Sequence, residues 1–243
     1  MFKQILYIYL IAIHLLLAAI FYKSNFIDLV KQRLSLWKVE KTDHYFTMTH
    51  FHARMDANLP EKSVLFIGDS IIQGLAVSAI AIPSVNYGIG TDTTTGVLQR
   101  ILTYSSLRKA DAIVLHIGWN DFKYREDAII IDNIKKIIQR VPKELPIILS
   151  ALFITNTKYH SEYINLNKRA QNINIQLEKW AARQARIFFV DSNPLLSNTE
   201  GEIKTDFHIG DGLHLNTQGN ALFIEVIKKG LDKARKWKST QKF

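Results

Sequence analysis

The chain has 243 residues, 47% hydrophobic and 22% charged, a composition sufficient for one sizeable core. It contains no cysteine, which excludes a disulfide framework, a thiolate nucleophile and a cysteine-ligated metal. A formal charge of +9, from 31 basic and 22 acidic residues, suits an anionic surface. The basic residues are nevertheless spread out. Their one cluster, Lys228, Lys229, Lys233, Arg235, Lys236, Lys238 and Lys242, reads as a solvated helix face and tail, so no nucleic-acid partner is expected.

The first element, Ile5 to Tyr22, is almost wholly apolar, broken only by His14 and flanked by Lys3 and Lys23. A membrane span needs about 20 such residues and a cleavable signal core about 7–15. An uncleaved N-terminal anchor over residues 1–23 is the first expectation, with a cleaved signal peptide, and hence a secreted domain, as the alternative. A helix buried in the domain is the bland reading. Lys23, Lys31, Arg33 and Lys38 after the segment argue for a cytoplasmic domain, whereas a short leading apolar segment argues for export. The extracytoplasmic side is preferred. Residues 24–60 read as a helical connector, with Phe26, Leu29, Val30, Arg33, Leu34 and Trp37 at helical spacing and Pro60 as a break. His44, His50 and His52 lack an acid at ligand spacing and read as surface histidines.

From Val64 the pattern alternates. Strand-like runs fall at Val64–Ile67, Val85–Tyr87, Ala112–Ile117, Ile147–Leu152 and Ile187–Val190. Helical patterns lie between them at Ile71–Ala81, Thr94–Leu107, Ala128–Arg140 and Tyr163–Gln184, and a closing helix runs from about Thr217 to Trp237. Short apolar strands, each followed by an amphipathic helix, predict a parallel sheet covered on both faces. Right-handed crossovers then give an α/β, three-layer αβα sandwich. A flavodoxin-like five-stranded parallel sheet of order 2-1-3-4-5 places its switch point beside the first strand. The domain is expected over 61–238, with 239–243 as a basic tail.

Each chemically suggestive motif follows a predicted strand. Gly68-Asp69-Ser70 ends the first and presents a hydroxyl near a helix N-terminus, though an Asp/Ser cap would look the same. Gly88-Ile89-Gly90-Thr91-Asp92 follows the second, where glycines allow backbone N–H groups to turn toward a ligand or merely make a loop. Gly118-Trp119-Asn120-Asp121 follows the third; its asparagine amide can donate to an oxyanion or tie down a turn. Asp211-Gly212-Leu213-His214 precedes the last helix, and that spacing lets a carboxylate hold one imidazole nitrogen while the other points outward. A rival reading makes His208, Asp211 and His214 metal ligands. Trp119, Tyr124, Phe153 and Phe207 sit near strand ends, as acyl- or sugar-pocket walls or as core.

In this order the motifs resemble the SGNH or GDSL-type hydrolases over about Glu61 to Gly230. Gly68-Asp69-Ser70-Ile71 is similar to the first block, Gly118-x-Asn120-Asp121 to the third, and Asp211-x-x-His214 to the fifth. The Gly-Ile-Gly-x-Asp-Thr-Thr stretch is similar to the second block, particularly that of platelet-activating-factor acetylhydrolase-like members. The resemblance implies a serine ester hydrolase of acyl or acetyl esters. Ser70 would be nucleophile, His214 base and Asp211 its partner, with Ser70, Thr91 and Asn120 donating to the oxyanion. Asp69 is expected to be a structural cap. No metal or organic cofactor is implied, and the substrate is a small-molecule, glycan or lipid ester. Thr91 departs from the family, which has glycine there. Either Thr91 keeps an ordinary conformation with its N–H inward, Gly90 absorbing the strain, or one donor is weakened. An O-acyltransferase using the same residues and a non-catalytic membrane-tethered binding domain are the competing functions.

Overall fold

The computed structural model describes residues 2–23 and 40–241, which fall into two units, Met1–Glu40 and Lys41–Phe243. In the first unit a helix, α1 (Phe2–Lys23), carries exposed Ile5, Leu6, Ile11 and Leu15. Among the described residues no helix is long and apolar enough to cross a membrane, so the expected anchor finds no support. A span needs about 20 predominantly apolar residues, and Lys3, Gln4, His14 and Lys23 fall within these 22. The helical pattern from Phe26 to Trp37 lies outside the described residues.

The second unit is built on five parallel strands, β1 (Val64–Gly68), β2 (Ser84–Gly88), β3 (Ala112–His116), β4 (Ile147–Ser150) and β5 (Ile187–Val190). Their order is β2-β1-β3-β4-β5, the predicted one. All residues of β1, β3 and β4 are buried, which is why their sequences are continuous apolar runs rather than alternations. Around the sheet stand α2 (Asp43–Asp56), α3 (Ser70–Gln73), α4 (Thr94–Arg100), α5 (Asp127–Arg140), α6 (Tyr163–Ala181), α7 (Asn193–Leu196) and α8 (Thr217–Thr240). α8 packs along β3, β4 and β5, while α4, α5 and α6 pack side by side, giving three layers. In α5 the buried Ile130, Ile131, Ile134, Ile137 and Ile138 recur at helical spacing and form its inner stripe.

Three elements differ from the sequence reading. The helix expected over Ile71–Ala81 stops at Gln73, because Asn86 Nδ2 from β2 donates to the Ile72 and Leu75 carbonyls at 2.7 and 3.1 Å. The helix expected over Thr94–Leu107 ends at Arg100 and continues as two 3₁₀ turns. Finally, α2, assigned to a connector, belongs to the compact unit, with Tyr45, His52 and Asp56 buried. His52 is therefore no surface histidine: its Nδ1 lies 3.0 Å from the Tyr104 hydroxyl. Asp56 accepts the Tyr87 hydroxyl at 2.7 Å and the Ser105 N–H at 2.6 Å, fastening the helix under β2.

Gly68, where β1 ends, has no room for a side chain: a Cβ there would lie 2.1 Å from the His116 carbonyl oxygen and 2.5 Å from Ile72 Cγ1. Gly68→Ala is expected to cost about 3 kcal/mol or more through forced strand separation, read as a lowered urea midpoint.

Candidate active site

At the carboxyl end of β1 the chain turns sharply into α3, and Asp69 caps that helix by accepting the Ile71 N–H at 3.0 Å. Ser70 follows, half-buried, with its Oγ 2.8 Å from Nε2 of His214, 144 residues away in the sequence. On the other side of the ring, His214 Nδ1 is 2.5 Å from Asp211 Oδ2. A carboxylate at Nδ1 keeps the ring hydrogen on that nitrogen, so the Nε2 lone pair faces the serine hydroxyl, which donates to it. Asp211 is itself held by the Leu213 and His214 N–H groups, donating to Oδ1 at 3.0 and 2.9 Å. Burial alone would raise its pKa; the Leu213 N–H and the His214 bonds outweigh that and hold it below the usual carboxylate range.

Asn120 and Thr91 lie on the neighbouring loops. Asn120 Nδ2 donates one hydrogen to the Asp92 carbonyl at 3.0 Å, joining the loop after β3 to the loop after β2. Thr91 stands at φ +66°, so of the two alternatives left open for it the ordinary conformation is not adopted. Thr91 is the third residue of the turn Ile89-Gly90-Thr91-Asp92, closed by the Asp92 N–H on the Ile89 carbonyl at 3.0 Å, the position at which a type II turn carries positive φ. A β-branched side chain is poorly suited to that region. Gln73 steadies the turn: its Oε1 accepts the Gly90 N–H and, at 3.1 Å, the His44 Nε2–H.

Beneath these loops lies a charged layer. Arg100, 3% exposed, donates to Asp92 Oδ2 at 2.9 Å, to the Tyr104 hydroxyl at 2.6 Å and to the Gly68 carbonyl at 3.2 Å. Asp121 accepts the Thr94 N–H at 2.8 Å and pairs with Arg125 at 2.7 Å. Asp69 is the third carboxyl of this layer and, unlike the other two, has no arginine; its Oδ2 is buried without a partner among the described residues. Burial, reinforced by the Asp92 and Asp121 charges, outweighs the Ile71 N–H bond and pushes Asp69 up to about 7. Sequence inspection missed Arg100 and Gln73. For Arg100 a signal existed: it shares the inward stripe of Val97, Ile101 and Tyr104, where an arginine is out of place unless paired.

A cavity of about 350 Å³ opens beside Ser70 and His214, walled by Ile71, Gly74, Ile209, Leu215 and Asn220. Of the two readings of the strand-end aromatics, pocket wall or core, this cavity does not take the first. Trp119 and Phe153 are core residues, and neither they nor Tyr124 and Phe207 line this cavity. His208 spends its Nδ1 on the Gly210 and Gly212 N–H groups, at 3.0 and 3.1 Å. Among the described residues no set of three or more His, Asp or Glu side chains is grouped to hold a metal ion, and the His208–Asp211–His214 metal reading has no geometric basis.

Two substitutions test the strain and the buried acid. Thr91→Gly removes the misplaced Cβ and is expected to raise stability by about 1 kcal/mol, seen as a higher urea midpoint. Folded Asp69 keeps a proton that the unfolded carboxyl loses above its ordinary 3.8, so wild type loses stability as pH rises from there toward about 7. In Asp69→Asn that part of the decline disappears, which paired melting curves across the window would show.

The sequence pattern of the GDSL-like lipase/acylhydrolase family matches residues 66–222. In structure, the chain is similar to a candidate platelet activating factor from Streptococcus pneumonia, with 24% identity, a TM-score of 0.72, and 84% of this chain and 99% of that one covered. It is similar also to a GDSL-like lipase from Bacteroides thetaiotaomicron, at 18% identity and TM-score 0.65, covering 76% and 98% of the two chains. A variant of an acetyl-xylooligosaccharide esterase from Geobacillus matches at 16% identity and TM-score 0.57, covering 70% and 94%. No curated protein matches the chain in sequence. With a family pattern extending from β1 into α8, the chain belongs to the GDSL-like lipase/acylhydrolase family and is a hydrolase acting on ester bonds.

Proposed function

We propose that the chain cleaves acyl or acetyl esters through a covalent acyl-enzyme, with Ser70 as nucleophile, His214 as general base and acid, and Asp211 as the partner of the imidazole. The observation that carries this reading is the continuous relay Ser70 Oγ–His214 Nε2–His214 Nδ1–Asp211 Oδ2, with links of 2.8 and 2.5 Å. Ser70 Oγ attacks the ester carbonyl carbon while its proton passes to His214 Nε2. The tetrahedral oxyanion is met by the Ser70 and Thr91 N–H groups and by the second hydrogen of Asn120 Nδ2. Collapse expels the alcohol, which takes the proton from His214. Water then repeats the sequence on the acyl-enzyme and releases the acid. Asp211, held anionic, stabilises the imidazolium at each stage. The tethered Asn120 and the clamped loop bearing Thr91 support oxyanion binding because donors fixed beforehand need no reorganisation.

A chain-length series of nitrophenyl esters, run on wild type and Ser70→Ala, tests the reading. Ser70→Ala is expected to lower kcat by about 10³-fold or more, and equal turnover by both proteins would overturn the nucleophile. Asn120→Ala is expected to cost about 3 kcal/mol of transition-state stabilisation, mostly in kcat. Free acid as the product in water supports hydrolysis; an acylated acceptor in its place would convert the reading to acyl transfer by the same residues.

A further inference from the structure

The loop that delivers Asp211 and His214 is built around one imidazole. His208 and Leu215 form an antiparallel bridge, the Ile209 N–H donates to the His214 carbonyl at 2.9 Å, and the Asn216 N–H to the Phe207 carbonyl at 3.0 Å. Residues 209–214 therefore project as a closed loop from a short ribbon. Two of its turns need the left-handed region, Gly210 at φ +104° and Gly212 at φ +77°. Both of these glycine N–H groups point inward to a single acceptor, His208 Nδ1, at 3.0 and 3.1 Å. The ring is 4% exposed and stands edge-on to Tyr159, centroids 4.5 Å apart. Its Nε2 has no partner among the described residues.

These bonds fix the chemical state of the ring. A nitrogen accepting two N–H groups carries no hydrogen, so His208 is neutral with its hydrogen on Nε2. We propose that His208 is a positioning residue for ester hydrolysis, an uncharged clasp whose Nδ1 sets the loop that holds Asp211 against His214. The inference rests on the assignment of Ser70, His214 and Asp211 to the reaction. The titratable groups against the ring are Asp211 of its own loop and Tyr159 of the segment after β4. Burial lowers the pKa of His208, and the Asp211 charge, which raises it, does not outweigh burial. Once acid does protonate Nδ1, both glycine donors are evicted and the loop loses its centre. Acid that protonates His208 therefore costs activity by opening the clasp, beyond anything it does at the reacting groups.

Two variants separate acceptor from bulk. His208→Asn places Oδ1 where Nδ1 lies and cannot be protonated; His208→Phe keeps the ring and removes the acceptor. With a small nitrophenyl ester at neutral pH, His208→Asn is expected to keep kcat within about threefold of wild type. His208→Phe is expected to lose about tenfold to a hundredfold in kcat with KM little changed, as for a misaligned catalytic group. In acid, where near-UV dichroism shows the fold intact, log kcat/KM of wild type is expected to fall more steeply with pH than that of His208→Asn, by up to about one additional unit of slope. Full activity in His208→Phe, an equal loss in both variants, or the same acid slope in wild type and His208→Asn would each overturn the proposal. Should His208→Phe fail to fold, the slopes decide alone. Ser70→Ala run in parallel separates the two readings: hydrolysis persisting there sinks both, whereas an inert Ser70→Ala beside a fully active His208→Phe sinks only this one.

Discussion

The Arg100–Asp92 ion pair is the constraint on which the site's arrangement depends. A guanidinium 3% exposed must find its countercharge and its hydrogen-bond acceptors inside the protein, and it finds them on three separate elements. Asp92 lies in the loop after β2, Gly68 ends β1, and Tyr104 follows α4. Ser70 comes two residues after Gly68, and Thr91 immediately precedes Asp92. The pair therefore couples the backbone that presents the hydroxyl to the backbone that presents the neighbouring N–H. Asn120 extends the coupling to a third loop through the Asp92 carbonyl. Asp121 beside it is held by Thr94 and Arg125, so the loop after β3 is anchored to α4 as well. Removing Arg100 would leave the buried Asp92 without its countercharge, a larger disturbance than removing an exposed ion pair such as Lys136–Asp132.

The positive φ of Thr91 is intelligible against this scaffold. The turn that carries Thr91 closes directly before Asp92, which is fixed on Arg100. Strain of order 1–3 kcal/mol persists only where surrounding bonds over-determine the backbone. Gln73 on Gly90, Arg100 on Asp92 and Asn120 on the Asp92 carbonyl supply that surplus.

What the chain disclosed in advance follows the same division between apolar and polar determinants. Strand positions and order were legible, because β1, β3 and β4 are buried on both faces and so are spelled as unbroken apolar runs. Ser70, Asn120 and Asp211-x-x-His214 were legible because each lies just beyond such a run, or at the entrance to the last helix. The role of α2 was not, since its buried stripe of Tyr45, His52 and Asp56 is largely polar and leaves little hydrophobic period. Its inward face is specified by partners some fifty residues away, Ser105 and Ser106 on Asp56 and Tyr104 on His52. The early end of α3 was hidden for a similar reason. A side chain from β2 takes its carbonyls, and nothing local to residues 71–81 announces that competition.

The two halves of the site are held by opposite electrostatic means. The loops after β2 and β3 rest on buried permanent charges, whose guanidinium partners stay protonated through any pH at which the protein is folded. The loop of Asp211 and His214 rests on a neutral imidazole and on a carboxylate that is 35% exposed, held anionic by backbone N–H groups as well as by its partner ring. The proposed proton-exchanging ring of His214 and its partner Asp211 thus sit where solvent screens them, while Arg100 and Asp92, which hold shape, sit where it does not. A single dielectric environment could not serve both tasks. Deep burial would trap the proton relay in one state, and exposure of Arg100 would dissolve the coupling between Ser70 and the donor loops into a surface ion pair of little energetic consequence.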